Sequence, residues 1–281
     1  MKIDFSDING KVCVLTGGCG VFGRVFGKAM VEAGAKLAIM DYKQGRCDEC
    51  CMDIFKKKGD SVMCVIGNVL EKDSLVEAKK EINEKFGKID ILINAAGGNA
   101  PTATTKDEFI NFENLNNLEK TFFGLDIEGF RSVFDLNFLG TVLPTMVFAE
   151  DMINRGGSII NISSMNSFRP LTKIPAYSAA KASINNLTQW LAVHFAKTNI
   201  RVNAIAPGFF LTKQNEFLLI DENTKELTPR GNKIIAQTPM GKFGNPEDLI
   251  GLLLYLSSDI SKFVTGVIIP VDGGFSSYSG V

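Results

Sequence analysis

Short apolar runs rich in valine and isoleucine recur along the chain, at Val12 to Thr16, Lys36 to Met40, Val62 to Ile66, Ile89 to Asn94, Ser158 to Ile162, Val202 to Ala206 and Val267 to Val271. They are apolar on both faces instead of alternating, which suits strands of a parallel sheet covered by helices on each side. The stretches between them carry helical spacing: Val25, Phe26, Ala29, Met30 and Ala33 recur at three and four residues, as do Leu75, Ala78, Ile82 and Phe86. Each pattern closes on a glycine, Gly34 or Gly87, where a helix C-cap favours one. The alternation predicts an α/β fold, a single-domain Rossmann-type doubly wound seven-stranded parallel sheet over residues 1–281. Two stretches break the alternation, 98–129 and 209–242, both rich in Asn, Thr, Phe and Lys. Insertions of that length in a compact domain usually form lids or binding loops, and both are read as substrate loops.

Composition narrows the function classes. Thirty Lys+Arg against 31 Asp+Glu give a formal net charge of −1, so no footprint for nucleic acid and no polybasic membrane surface is expected. The N-terminus carries acids and no apolar signal region, and no unbroken apolar run is long enough for a membrane span, so a cytoplasmic protein is expected. All six cysteines (Cys13, Cys19, Cys47, Cys50, Cys51 and Cys64) fall in the first quarter of the chain, unlike a disulfide framework, and reduced thiols are expected. Cys47, Cys50 and Cys51 fall short of the ligand set of a tetrahedral zinc, and the sole histidine, His194, is remote, so no metal is expected.

The first strand runs into Thr16-Gly17-Gly18-Cys19-Gly20-Val21-Phe22-Gly23 and then an amphipathic helix. Backbone N–H groups and the positive helix end face one point there, which suits a pyrophosphate. A glycine-rich run alone is no more than a tight strand-to-helix turn; the strand before it and the helix after it favour a dinucleotide. Eighteen residues beyond Gly23, at the end of the second strand, Asp41 is placed to accept hydrogen bonds from an adenosine ribose and to repel a 2′-phosphate, favouring NAD over NADP. Lys43 is placed to fold over the adenosine and soften that discrimination.

A second constellation is Tyr177-Ser178-Ala179-Ala180-Lys181, with Ser164 thirteen residues upstream at the end of the fifth strand. Residues four apart share a helix face. A lysine ammonium one turn from a phenol favours the phenolate, so the pair can shuttle a proton. Ser164 would reach the crevice at the strand ends and hold a carbonyl or hydroxyl oxygen. His194 and Trp190, one turn apart beyond Tyr177, are read as packing or interface residues. Phe122, Phe123, Phe130, Phe134, Phe138 and Phe148 are likewise read as core and subunit interface.

In this order the motifs resemble the short-chain dehydrogenase/reductase family across essentially the whole chain: the glycine loop, Asn94-Ala95-Ala96-Gly97, Asn137 in Asp135-Leu136-Asn137, Ser164, Tyr177, Lys181, and Pro207-Gly208 with Thr212. The resemblance implies hydride transfer with NAD. It implies cofactor contacts from Gly17, Gly18, Gly20, Val21, Phe22, Gly23, Asp41, Asn68, Val69, Asn94, Ala95, Ala96, Gly97, Tyr177, Lys181, Pro207, Gly208 and Thr212. It further implies Tyr177 as general acid/base, Lys181 holding the ribose and tuning Tyr177, Ser164 orienting the substrate oxygen, Asn137 anchoring a water in a proton relay, and a homotetramer. Two positions depart from the family: its loop usually has glycine where Val21 stands, and an acid where Asn68 stands, although an amide can still bond adenine.

More narrowly, Ser163-Ser164-Met165-Asn166, the segment Pro207 to Asn215 and the ending Val271 to Val281 resemble the D-mannonate oxidoreductase, or fructuronate reductase, branch. That resemblance implies interconversion of D-fructuronate and D-mannonate. Asn99, Asn166, Lys173, Lys213 and Gln214, together with Thr102 and Asn215, supply the amides and cations that a hydroxylated acid needs. Arg169, Lys173 and Lys213 are the candidate carboxylate partners, Lys173 foremost because it lies four residues before Tyr177. A polyol, ketose or 3-oxoacyl reductase, or a non-catalytic dinucleotide-binding protein, remains compatible with the residues alone.

Overall fold

All seven strands form and all pair in parallel, in the order β3-β2-β1-β4-β5-β6-β7. The computed structural model describes residues 4–55, 59–213 and 215–280. The strands are β1 Val12–Thr16, β2 Lys36–Asp41, β3 Val62–Ile66, β4 Ile91–Asn94, β5 Gly157–Ile162, β6 Ile200–Pro207 and β7 Ile268–Val271. β4 starts two residues later than its apolar run because Asp90 serves the strand's edge, its carboxylate accepting Val12 N at 2.9 Å and its carbonyl accepting Ser158 N at 3.0 Å.

The side-chain period of two divides each strand between two cores. Cys13 and Leu15 of β1 face a core with Phe26 and Met30 of α1 (Val21–Glu32) and Leu253 and Leu256 of α8 (Ile250–Ser257). Val12 and Val14 face the other, with Ile82 and Phe86 of α3 (Lys72–Phe86) and Phe148 of α4 (Ile127–Phe148). Gly34 and Gly87 take φ +91° just past α1 and α3, as a C-terminal stop requires. α2 (Gln44–Phe55) packs beside β2 and β3, and α5 (Pro175–Phe195) lies against α4 and β6.

The two insertions are less irregular than the sequence suggests. The first is a chain of 3-10 turns that ends early, because Asp126 caps α4 by accepting Gly129 N at 2.8 Å. The second holds two helices, α6 (Glu216–Leu219) and α7 (Pro229–Ala236), the latter started by the Thr228 hydroxyl on Gly231 N at 3.1 Å with Pro229 in its first turn. Both are too short for the 3.6-residue pattern to register. Lys233 of α7 donates to Glu108 at 2.6 Å and joins the insertions.

Cys13, Cys19, Cys47 and Cys50 are free thiols, but Cys64 is disulfide-bonded, which corrects the expectation that every thiol is reduced. β3, which carries Cys64, packs directly against α2. Trp190 and His194 stack on α5 itself, 4.5 Å between centroids, and lie on its exposed face, outside the core. Phe148 is core, whereas Phe122 and Phe123 are exposed. Ile127–Met152 is the one helical stretch among the described residues long and apolar enough to span a bilayer, and half of its most apolar window is buried inside this fold.

Candidate active site

The strand order reverses at β1, whose neighbours are β2 and β4, and open α/β sheets bind ligands at the carboxyl ends of such strands. The glycine loop leaves β1 there. Gly17 takes φ +63°, and a Cβ on it would lie 2.7 Å from Ala96 Cα. At Gly23 a Cβ would meet Gly17 O at 2.5 Å, so helix and loop pack backbone to backbone. Gly20 is the extended N-cap of α1, and Val21 opens the helix, a place that needs no glycine. The loop therefore keeps its helix-start anion geometry despite Val21. Thr16 accepts Ala95 N and Ala96 N at 3.1 and 3.2 Å, fixing the β4 loop beside the β1 loop.

Asp41 closes β2, is 6% exposed, and accepts Tyr42 N at 3.0 Å. The cation near it is Arg46, at 3.9 Å, whereas Lys43 is turned over the Tyr42 ring at 5.1 Å. Phe22 meets Phe210 edge-on at 5.5 Å, linking the loop to the root of the second insertion. Gly208 packs on Asp272, where a Cβ would come within 2.6 Å of Asp272 Cα.

Some expected cofactor side chains are engaged elsewhere. Asn94 donates to Thr145 and Asn161 at 3.0 and 2.9 Å inside the fold, part of a polar ladder that continues from Asn161 to Thr188. Asn68 accepts Leu70 N and donates to Glu71 at 2.7 Å, organising the approach to α3. Val69 is buried beneath Gly140. Thr212 and Phe210 are held by Asn215, whose oxygen accepts Thr212 N at 2.8 Å and whose nitrogen donates to Phe210 O at 2.8 Å, so Asn215 shapes the turn instead of facing a substrate.

Ser164, Tyr177, Lys181 and Asn137 converge. Ser164, buried at the end of β5, accepts Asn166 N at 3.2 Å and is hydrogen-bonded to the Tyr177 phenol. Lys181 Nζ is 5.6 Å from the Tyr177 ring centroid and donates to Ile162 O at 2.7 Å. Gly97 sits between Lys181 and Asn137, since a Cβ there would be 3.4 Å from Lys181 Nζ and 2.6 Å from Asn137 Oδ1. Asn137 clamps Gly98, accepting its N–H at 3.2 Å and donating to its carbonyl at 2.7 Å.

The electrostatics correct one expectation. Burial, unrelieved by a counter-charge, draws the Lys181 ammonium down to about 7. Burial also raises Tyr177, against a smaller lowering from the Ser164 hydrogen bond. In the protein alone, then, the phenol lies above its ordinary range, because burial prevails over the Ser164 hydrogen bond.

Sequence reasoning passed over Asn185. It accepts the Ser163 hydroxyl at 2.6 Å and donates to Ser167 at 2.8 Å, pinning both flanks of Ser164 to α5. Its place four residues after Lys181, on the same helix face, was the available signal.

Of the expected substrate residues, Asn166 is 6% exposed and its Oδ1 is buried with no hydrogen-bond partner, as a group awaiting a ligand would be. Asn99 donates to Thr104 at 2.8 Å, Lys173 to Lys106 O at 2.6 Å, and Arg169 Nε to Ser276 O at 3.2 Å. Lys213 is exposed, Thr102 is exposed against Gly129, and Gln214 lies outside the described residues. Among the described residues no group of three or more His, Cys, Asp or Glu has metal-site geometry.

The profile of a family described as enoyl-(acyl carrier protein) reductase matches residues 21–276. An uncharacterized oxidoreductase from Haemophilus influenzae is 50% identical over 277 residues, covering 98% of this chain and 96% of that protein. The Bacillus subtilis uncharacterized oxidoreductase UxuB is 47% identical, with 98% of each chain covered. A crystal structure from H. influenzae with bound NAD, provisionally named a D-mannonate oxidoreductase, superposes with a TM-score of 0.93 at 49% identity over 98% of both chains.

Proposed function

This chain belongs to the short-chain dehydrogenase/reductase family, and from that premise we propose that it is an NAD-dependent oxidoreductase interconverting D-mannonate and D-fructuronate. The observation that carries the chemistry is the hydrogen-bonded Ser164–Tyr177 pair with Lys181 one helical turn away, set beside the glycine loop. The glycine contacts support the cofactor: a Cβ at Gly17, Gly18 or Gly23 would collide with backbone or core atoms, so backbone N–H groups can approach a pyrophosphate closely. Gly17, Gly18, Gly20, Asp41, Gly97, Lys181, Pro207, Gly208 and Thr212 would hold NAD, which supplies the hydride acceptor or donor. Val21, Phe22, Gly23, Ala95 and Ala96 shape the walls of that groove.

For ketone reduction the Ser164 hydroxyl donates to the substrate oxygen and fixes it beside Tyr177. The phenol, kept protonated by burial, gives up its proton as the oxygen becomes an alkoxide. Lys181 then steadies the developing phenolate from one turn away, and Asn137 fixes the Gly98 backbone along the proton's exit. Asn166, with its unpartnered oxygen, is the group nearest Ser164 in sequence that can accept a substrate hydroxyl. The insertions wall the crevice within one domain. A homotetramer packed through α4 and α5 would cover Leu139, Met146, Trp190 and Val193, which a single chain leaves exposed.

The substrate assignment leans on the likeness to the H. influenzae structure and on the cations nearby, since a buried carboxylate needs one. Lys173 already donates to Lys106 O, so a substrate that uses Lys173 must draw the ammonium from that carbonyl. NADH oxidation is measured with D-fructuronate, with a ketose and with a 3-oxoacyl thioester. Fructuronate should exceed the others in kcat/KM at least about tenfold, and one of Arg169→Ala, Lys173→Ala or Lys213→Ala should raise KM for D-mannonate with a smaller change in kcat. A preference for the thioester, or three variants identical to wild type, removes the sugar-acid reading.

Cofactor choice follows from Asp41. A 2′-phosphate beside this carboxylate would meet repulsion worth about 1 to 3 kcal/mol after screening, or about 5- to 150-fold in affinity. NADH is therefore the better cofactor, and Asp41→Ser should shift the NADPH/NADH ratio of kcat/KM toward NADPH by at least about tenfold, with Arg46 left to bind the phosphate. Equal specificity constants in the wild type would overturn the role of Asp41.

A further inference from the structure

Three free thiols meet behind the glycine loop. Cys19 stands in the loop between Gly18 and Gly20, and Cys47 and Cys50 lie on α2; their exposures are 4%, 0% and 0%. The Cys47 and Cys19 sulfurs are 3.9 Å apart, Cys19 is hydrogen-bonded to Cys50, and Cys50 Sγ donates to Gly18 O at 3.7 Å. The trio thus touches both the loop backbone and the helix that follows Asp41.

We propose that Cys50 and Cys19 are a peroxide-responsive pair whose disulfide distorts the cofactor loop. The proposal rests on reading that loop as the NAD site. The roles differ by environment: the Cys19 hydrogen bond and then the Arg24 charge lower Cys50 against its burial, whereas Cys19 is pushed up to about 12. Cys50 is therefore the attacking sulfur and Cys19 the resolving one. The Cys50 sulfur attacks one oxygen of hydrogen peroxide, the O–O bond breaks, and water leaves with the Cys50 proton, giving a sulfenic acid. The Cys19 sulfur then attacks that sulfur, the S–O bond breaks, and a second water leaves with the Cys19 proton. Two thiols lose two electrons and two hydrogens, and the peroxide is reduced to two waters.

The consequence is geometric. An S–S bond is about 2.05 Å long, roughly 1.5 to 2 Å shorter than a hydrogen-bonded thiol contact. Cys19 cannot make up that difference without moving Gly18 and Gly20. N–H groups that hold a phosphate at about 2.7 to 3.2 Å lose their contacts after such a shift. Burial makes the reaction depend on loop opening, so bound NADH should protect the pair.

The test uses full-length protein, fully reduced and then exposed to hydrogen peroxide. Intact mass, non-reducing peptide mapping and NADH binding by fluorescence are read together. The expected result is a Cys19–Cys50 link with a loss of 2 Da for that bond, a rise of at least about tenfold in Kd for NADH, reversal by dithiothreitol, and slower oxidation when NADH is present. Cys47→Ala should keep this response and Cys50→Ala should abolish it. No such link, a link with unchanged Kd, or an undiminished response in Cys50→Ala overturns the proposal. Failure of the reduced wild type to bind NADH removes the cofactor reading instead, and is visible before any oxidant is added.

Discussion

Tyr177→Phe lowers turnover by about 10² to 10⁴ while NADH binding stays within a few-fold of wild type. The substitution removes one oxygen and leaves the ring between Ser164 and Lys181. What is lost is the proton donor: among the described residues the Tyr177 phenol is the hydroxyl hydrogen-bonded to the Ser164 side chain, while the Ser167 hydroxyl is turned to the Ser164 carbonyl. The cofactor groove is built from backbone on β1 and β4 and does not depend on the phenol. Steady-state kinetics and fluorescence titration separate the two effects. A variant retaining more than about a tenth of wild-type turnover shows that Tyr177 is not the acid.

Lys181→Met should weaken NADH binding and turnover together, each by at least about tenfold, since in the proposed mechanism the ammonium serves both the ribose and the phenol. The same substitution should stabilise the cofactor-free fold. The native value for Lys181 lies near 7, below the unfolded 10.5, so the native state holds fewer protons than the unfolded chain between those limits. The cost of the buried charge is fully present below about pH 7 and vanishes as pH rises toward 10.5, amounting to roughly 5 kcal/mol as an upper bound. Thermal melting at several pH values reads this directly: Lys181→Met should exceed wild type in Tm at pH 6, with the gap closing by pH 10. A gap that widens with pH contradicts the assignment. Holding such a group in place is a stability cost kept for function.

The sheet was legible because strands covered on both faces read as short, nearly continuous apolar runs, and the helical spacing between those runs set them apart from buried helix segments. The glycine loop and the Tyr177–Lys181 spacing were legible because backbone crowding and a helical turn each impose local rules. What stayed hidden depends on long-range packing. Asn94 follows a strand like a cofactor ligand, yet its amide is drawn inward by Thr145 and Asn161, which are 51 and 67 residues away. Lys43 and Arg46 are equally plausible neighbours of Asp41 until α2 fixes which one turns toward it. The direction of the Tyr177 shift required knowing how dry the crevice is. Asn185 could be placed on the right helix face, but not against Ser163 and Ser167, without the loop that follows β5.

In the proposed reaction this crevice moves a hydride between a nicotinamide and a sugar-acid carbon. NADH carrying deuterium at C4 of the nicotinamide, incubated with D-fructuronate and the protein, tests it most directly by mass spectrometry and NMR of the product. One deuterium should appear on the carbon that had been the ketone, from only one of the two C4-labelled stereoisomers, and Tyr177→Phe should slow its appearance by about 10² or more. D-mannonate formed without label from both stereoisomers, or no product from either, would contradict this reading.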